Sequence, residues 1–313
     1  MKVVFFGTPG FSAEVLSYLL DNDVNIVAVI TKPDRPKGRS GTPVATPVKC
    51  IAEEQNPPIP YFQPPLVSSP EFADVLIPFQ ADLFVVVAYG EIIKQHLLDM
   101  PLLGCINLHT SLLPKYRGAA PIQRSIIEGE VQTGVTVMHM AKKMDAGDVI
   151  KQVVIDIEPN AAFPEIEQEL CRVGSKVLLE VIREFDGGTP LRIPQQHEFA
   201  TLAPKIELED CQLNWQYPAM TLHNLVRGVT PEPGAWCLVA IRGQKRRLKV
   251  NVTRVIPDLS GTPGDILSYG KAGLVVACGK EALQILELQL EGKKAMTADE
   301  LMRGLSRDQI SFL

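Results

Sequence analysis

Residues 82–90 read DLFVVVAYG and residues 104–118 read GCINLHTSLLPKYRG. Each begins as a short, unbroken apolar run and ends in turn-forming residues, the pattern of a strand buried on both faces of a sheet. The same pattern recurs in KVVFFG (2–7) and VNIVAVIT (24–31). Between those two lies GFSAEVLSYLLDN (10–22), where Phe11, Val15, Leu19 and Leu20 fall on one side of a helix and Ser12 is a candidate cap. TGVTVMHM (133–140) and GDVIKQVVIDI (147–157) alternate more and suit an antiparallel edge, while EIEQELCRVGSKVLLEVIREF (165–185) spaces its apolar residues as a long amphipathic helix. Strands alternating with helices predict an α/β fold, a doubly wound and mostly parallel Rossmann-like sheet. Ligands in such sheets bind beyond the carboxyl ends of the strands, and Asn107 and His109 stand at such an end.

The chain has 313 residues, long for a single core, so two domains are expected. GGTPLRIPQQHEFATLAPK (187–205) is rich in Gly and Pro and has no period. The expected boundaries are a first domain over 1–189, a linker over 190–205 and a second domain over 206–313. After the linker come GAWCLVAI, RRLKVNVTRVI, GLVVACG and ALQILELQL, short strands broken by turns, as in a small antiparallel barrel. A last helix is expected from Thr297, with Glu300 closing a capping box. The net charge of −5 is uneven: residues 1–203 sum to −7 and residues 204–313 to +2. An excess of two charges is a weak pointer to a polyanionic partner for the second half. No apolar run is long enough to span a bilayer, and MKVVFFG enters a strand directly rather than a signal peptide. The six cysteines are scattered, without a CxxC pair or clustered histidines, which points away from zinc and toward a cytoplasmic protein with reduced thiols.

Residues two apart in a strand face the same way, so Asn107 and His109 present an amide and an imidazole to one spot. Together they can donate hydrogen bonds to a developing oxyanion. An arbitrary Asn or His is more often a satisfied structural group; here the SLLPKYRG that follows and a later MDAGD weigh toward chemistry. Asp145 is the candidate carboxylate to orient the imidazole, with Asp148 second. No nucleophile motif, phosphate loop or metal-ligand spacing is present. FFGTPGF lacks the third glycine of the dinucleotide fingerprint, which disfavours a nicotinamide dehydrogenase. TKPDRPKGRSGTPVATPVK (31–49) is expected to be a mobile basic loop carrying Lys32, Arg35, Lys37, Arg39 and Lys49 toward phosphates. Arg227, Lys245, Arg246, Arg247 and Lys249 are the candidates in the second half, although a charged hairpin such as RGQKRRLKV is often only solvated.

INLHTSLLPKYRGAAPIQRSI followed by TGVTVMHMAKKMDAGDVI resembles the folate-dependent formyltransferases, whose shared core is Asn-x-His, SLLP and a downstream Asp. FFGTPGF, TKPDRPKGR, VVAYGEIIK, NWQYPAMTLHNLVRGVTPEPGAW and GKKAMTADEL extend the resemblance over the whole chain, to the members that act on methionyl-tRNA. It implies transfer of a formyl group from 10-formyltetrahydrofolate, without a metal, to the α-amino group of methionine on initiator tRNA. It places Asn107, His109 and Asp145 in the catalytic positions. Ser111, Leu112, Leu113 and Pro114 take the folate-binding stretch, and Tyr89, Gly90 and Ile92 help to line the pterin pocket. The basic loop becomes the one that approaches the tRNA acceptor end, and the second domain an OB-like tRNA-binding barrel in a monomer. Members acting on glycinamide ribonucleotide or amino sugars are the alternatives; the barrel argues against the first and the basic loop against the second. An RNA-binding module without folate chemistry is the non-enzymatic alternative.

Overall fold

A computed structural model describes residues 1–36, 41–270 and 273–313. These residues divide into two compact units. The first comprises Met1–Pro121, Gln132–Asp156 and Glu167–Pro204, and the second Ile122–Val131, Ile157–Ile166 and Lys205–Leu313.

The first unit is built on strands β1 (Val3–Gly7), β2 (Ile26–Ile30), β5 (Tyr61–Phe62), β6 (Leu83–Val87), β7 (Cys105–His109), β8 (Gln132–His139) and β9 (Val149–Asp156), with the short ribbon β3 (Arg35–Pro36) and β4 (Pro43–Val44) beside them. The sheet order is β5-β2-β1-β6-β7-β8-β9. Pairings from β5 to β7 are parallel, and those of β8 with β7 and β9 are antiparallel, which gives the expected antiparallel edge. β1 and β6 are buried at every residue, the burial that their unbroken apolar runs require. Phe6 packs on Phe84 and on Tyr89, with ring centroids 5.1 and 5.7 Å apart. Helices α1 (Gly10–Asp21), α2 (Pro47–Glu54), α3 (Pro70–Leu76), α4 (Gln95–Leu98) and α6 (Phe163–Gly187) connect the strands, while α5 (Pro121–Ile127), between β7 and β8, falls almost wholly in the second unit. Ser12 does not cap α1: Pro9 takes that position, and Ser12 is buried inside the helix, its hydroxyl donating to the Val87 carbonyl at 2.6 Å. That bond fastens α1 to the carboxyl end of β6, beside the site.

The second unit is a nearly closed antiparallel barrel. It contains β10 (Ala235–Ile241), β11 (Gln244–Ile256), β12 (Ile266–Ser268), β13 (Leu274–Ala277), β14 (Ala282–Leu290), β15 (Met296–Thr297) and β16 (Ile310–Phe312), in the order β12-β13-β14-β11-β10-β16, with β15 on β14. Two helices accompany it, α7 (Ala219–Val229) and α8 (Ala298–Gly304). Periodicity did not single out α7 beforehand, yet Leu222, Val226 and Val229 recur at helical spacing and are buried.

The expected boundaries differ from these units in two ways. Residues 190–204 belong to the first unit rather than to a free linker. Segments 122–131 and 157–166 join the second, because α7 holds them. At Gly228 a side chain would meet Ile127 at 2.8 Å, so only glycine allows that approach. Arg227 donates to the Ala161 carbonyl at 3.0 Å, and Arg124 pairs with Asp210 at 2.8 Å. No linear composition shift marks such an exchange of segments.

The expected capping box at α8 is present: Thr297 accepts from the Glu300 amide while the Glu300 carboxylate accepts from the Thr297 amide at 2.8 Å. Both tryptophans, Trp215 and Trp236, lie in the second unit, so tryptophan fluorescence reads its unfolding. Thr297→Ala is expected to destabilise that transition in urea by about 1 kcal/mol.

Candidate active site

The site forms at the carboxyl end of β7. Asn107 and His109 sit on one face of that strand, opposite Met138 and Thr136 of β8. The Asn107 side chain is half-buried and has no hydrogen-bond partner among the described residues. His109 is buried, and its Nε2 donates to the Tyr116 carbonyl at 2.9 Å. Its Nδ1 faces Asp145 Oδ2 at 3.9 Å, with the two side chains 7% and 13% exposed. Both partners are acceptors, so the ring presents an N–H to each only when it carries two protons. Asp145 faces the imidazole despite a separation of 36 residues because β7 and β8 are neighbours and the loop that leaves β8 opposite Ile106 folds back past His139.

Asp145 is held from two sides. Its Oδ2 accepts from the Gly118 amide at 2.8 Å. Its backbone has φ 49°, a left-handed conformation unusual for a residue other than glycine. Two residues on, a side chain at Gly147 would fall 1.8 Å from the His139 carbonyl, so glycine is obligatory where the loop folds back.

Ser111–Pro114 forms a tightly bonded loop. Ser111 is fully buried and donates to the Lys115 carbonyl at 2.7 Å. Thr136 donates to the Ser111 carbonyl at 2.6 Å and accepts from the Leu113 amide at 3.2 Å. Gln152 donates to the Leu113 carbonyl at 2.8 Å. Leu112 and Pro114 are half-buried within this frame. After β6 the chain turns through left-handed Ala88 and Gly90. Tyr89 is buried, its hydroxyl lacks a partner among the described residues, and burial pushes that hydroxyl's pKa well up. Ile92 is exposed.

The basic candidates separate. Lys32 is in an ion pair with Glu91 and lies 5.7 Å from the Tyr89 ring centroid. Glu91 in turn accepts from the Val67 amide at 2.9 Å. Lys49 pairs with Asp34 at 2.7 Å, which holds the Asp34 carboxyl below its usual range. Lys49 braces the loop internally, whereas Lys32 ties it to the segment that follows β6. Arg35 is exposed, and Lys37 and Arg39 lie outside the described residues. In the barrel, Lys245 and Arg246 are exposed. Arg247 stacks over the Trp236 ring at 4.2 Å, and with Lys249 it lines a cavity of about 330 Å³ that also includes Leu208, Gly234 and Gln289. Lys249 donates to the Pro231 carbonyl at 2.8 Å. Arg227 is buried, bonded to Asn224 at 2.8 Å as well as to Ala161, and desolvation lowers its pKa. It cannot reach a phosphate from there.

Arg117, Gln195 and His197 were not anticipated at the site. Arg117 is buried; its Nη2 donates to Gln195 Oε1 at 2.6 Å and meets His197 Nδ1 at 2.8 Å. Gln195 and His197 are lone polar residues in an aperiodic stretch, which carries no signal of its own, and Arg117 was read only as part of the SLLPKYRG motif. Among the described residues no group of His, Cys, Asp or Glu could hold a metal ion, and no helix is long and apolar enough to cross a membrane.

Residues 1–182 match the family model described as formyl transferase, and residues 205–306 match formyl transferase, C-terminal domain. Methionyl-tRNA formyltransferase of Protochlamydia amoebophila is 61% identical over all of this chain and 98% of its own length. That of Chlamydia abortus is 42% identical over 100% of this chain and 98% of its own. Among solved structures, an N-formyltransferase from Helicobacter canadensis in complex with folinic acid and dTDP-3-aminofucose covers 91% of this chain and 98% of its own, with TM-score 0.68 and 18% identity, a likeness of fold. Two formyl transferase domains in this order, with full-length identity of this degree, place the chain in the methionyl-tRNA formyltransferase family.

Proposed function

We propose that this chain, acting as a cytoplasmic monomer, moves the formyl group of 10-formyltetrahydrofolate to the α-amino nitrogen of methionine on initiator tRNA, with Asn107, His109 and Asp145 around the reacting atoms. The observation that carries the residue assignment is the approach of Asp145, 36 residues away in sequence, to His109 at the end of β7, where Asn107 shares the strand face and its amide has no hydrogen-bond partner among the described residues. The residues present suit a folate: the Asn107 amide and the buried Tyr89 hydroxyl, both without a partner among the described residues, an exposed Ile92 and the braced Ser111–Pro114 loop offer polar and apolar contacts to a flat heterocycle. When bound, the folate supplies the formyl carbon that the amine attacks.

Asn107 donates a hydrogen bond to the formyl oxygen as negative charge develops there. His109 joins it by exchanging its bond to the Tyr116 carbonyl for one to the same oxygen. Asp145 holds the opposite edge of the ring and accepts the positive end of that donor. The new bond joins the amine nitrogen to the formyl carbon, and the old bond from that carbon to the folate nitrogen breaks. The amine gives its proton to the Asp145 carboxylate, and the departing folate nitrogen takes up one proton in exchange, so the overall transfer is neutral. Water exclusion falls to Leu113, Tyr89 and Ile93, all buried around the end of the sheet.

Loss of an oxyanion donor costs about 10²–10³ in rate. Asn107→Ala and His109→Ala are therefore each expected to lower single-turnover formylation of methionyl-tRNA by about that factor, with the Kd for tRNA unchanged. Near-normal turnover in either variant would remove that residue from the reacting centre. Small amines assayed in place of charged tRNA test whether the acceptor is the tRNA-borne methionine.

Phosphate binding on the barrel falls to Lys245, Arg246, Arg247 and Lys249, with Arg35 contributing from the ribbon of the first unit. Arg227 instead supports α7. Removing one phosphate-binding cation should reduce the slope of log affinity against log salt by about one. Lys245→Ala with Arg246→Ala is expected to weaken tRNA binding and flatten that slope by about two. An unchanged slope, measured by filter binding across a salt series, would take both residues out of the interface.

A further inference from the structure

We infer that Gln195 is a positioning residue for formyl transfer: its side-chain amide clamps the loop that carries Asp145 and so sets the carboxylate against His109. The inference rests on the proposed role of Asp145 in the reaction.

Gln195 lies in the stretch that composition reads as a linker, yet it is 8% exposed. The chemistry of its partners decides which way the amide points. Arg117 can only donate, so Oε1 must face it, at 2.6 Å. Backbone carbonyls can only accept, so Nε2 must face them. It donates to the Asp145 carbonyl at 3.0 Å and to the Gly147 carbonyl at 2.7 Å. These bonds grip the loop on both sides of Ala146, where Asp145 is left-handed and Gly147 is pressed against the His139 carbonyl.

The clamp closes on itself. Arg117 is anchored by its own backbone: its amide donates to the Thr201 carbonyl at 2.9 Å, and its carbonyl accepts from the Ala203 amide at 2.7 Å. The next residue, Gly118, donates its amide to Asp145 Oδ2. Asp145 is therefore tied at its carboxylate by Gly118 and at its carbonyl by Gln195, and Arg117 connects the two ties. Backbone bonds in both directions between Ile193 and Val149, at 2.9 and 2.8 Å, fasten the start of the same stretch to the strand that follows the loop. Without the Gln195 amide, two carbonyls of a strained loop lose their donor, and the loop is free to relax toward ordinary backbone angles. That relaxation draws the carboxylate away from the ring.

A residue that acts only through Asp145 makes a distinctive kinetic prediction. Gln195→Met is expected to lower kcat by about 10²-fold, the cost of misplacing a reacting-site group by about an ångström. The KM for the formyl donor and for methionyl-tRNA should stay within about twofold of wild type, since neither substrate touches Gln195. In an Asp145→Asn background the same substitution should cost less than about twofold more, because its target is already disabled. Gln195→Glu keeps the acceptor for Arg117 and removes both donors; it should show the same pattern, and it decides the matter if Gln195→Met does not fold. A kcat near wild type in either folded variant, a change confined to KM, or an equal loss in both backgrounds overturns the clamp. Wild-type kcat in Asp145→Asn alone overturns the reading of the site and the clamp with it, which separates that failure from a failure of the clamp alone.

Discussion

The contact between the His109 ring and the Asp145 carboxylate organises the first unit around it. A carboxylate near an imidazole is useful only if it is held, and Asp145 sits in a loop whose backbone angle at that residue is disfavoured. Bonds from outside the loop keep it there: the Gly118 amide at one end and the Gln195 amide at the other. The sheet supplies the frame. β7 and β8 pair antiparallel, so β8 ends opposite Ile106 near the start of β7, and the Asp145 loop that follows folds back toward His109. A site made of three residues thus draws on two strands, two loops and a stretch some fifty residues further along the chain.

Charge serves two different ends in this molecule. Lys32 and Lys49 look alike in the sequence as cations of a basic loop, but both are spent on carboxylates, Glu91 and Asp34, and they stiffen the segments that border the site. Arg227 is spent in the same way on α7 and the segment at 157–166. Lys245 and Arg246 remain in solvent, and the Arg247 guanidinium lies over the Trp236 ring. Whether a cation reaches a polyanion depends on what its neighbours have already taken, and a count of Lys and Arg cannot register that. The small positive balance of the second half understates what a local face of β11 offers.

Much of the sheet was legible beforehand. Unbroken apolar runs name the buried parallel strands, and alternation names the antiparallel edge, because burial on two faces and burial on one leave different periodicities. The shared face of Asn107 and His109 was legible because a strand sets residues two apart on one side, while Asp145 was readable only as the first candidate carboxylate, ahead of Asp148. Arg117, Gln195 and His197 were not, since a buried hydrogen-bonded clamp leaves no period and no spacing. The exchange of segments 122–131 and 157–166 into the barrel unit was equally hidden: α7 holds them by a close approach at Gly228 and a buried guanidinium, both long-range interactions. Ser12 illustrates a smaller failure, in which a residue suited to capping a helix is drawn inside it by a carbonyl of the neighbouring strand.

By itself the sequence determined the order and kind of the strands, the α/β character of the first part and the barrel of the second, and the amide and imidazole that share one strand face. These follow from local periodicity, which is a property of neighbours along the chain. Tertiary structure decided how closely the Asp145 carboxylate approaches the imidazole, which cations are paired with carboxylates, and that residues 190–204, expected within a linker, belong to the first unit. Those outcomes depend on which distant groups compete for the same donors and acceptors, and only the folded chain brings the competitors together.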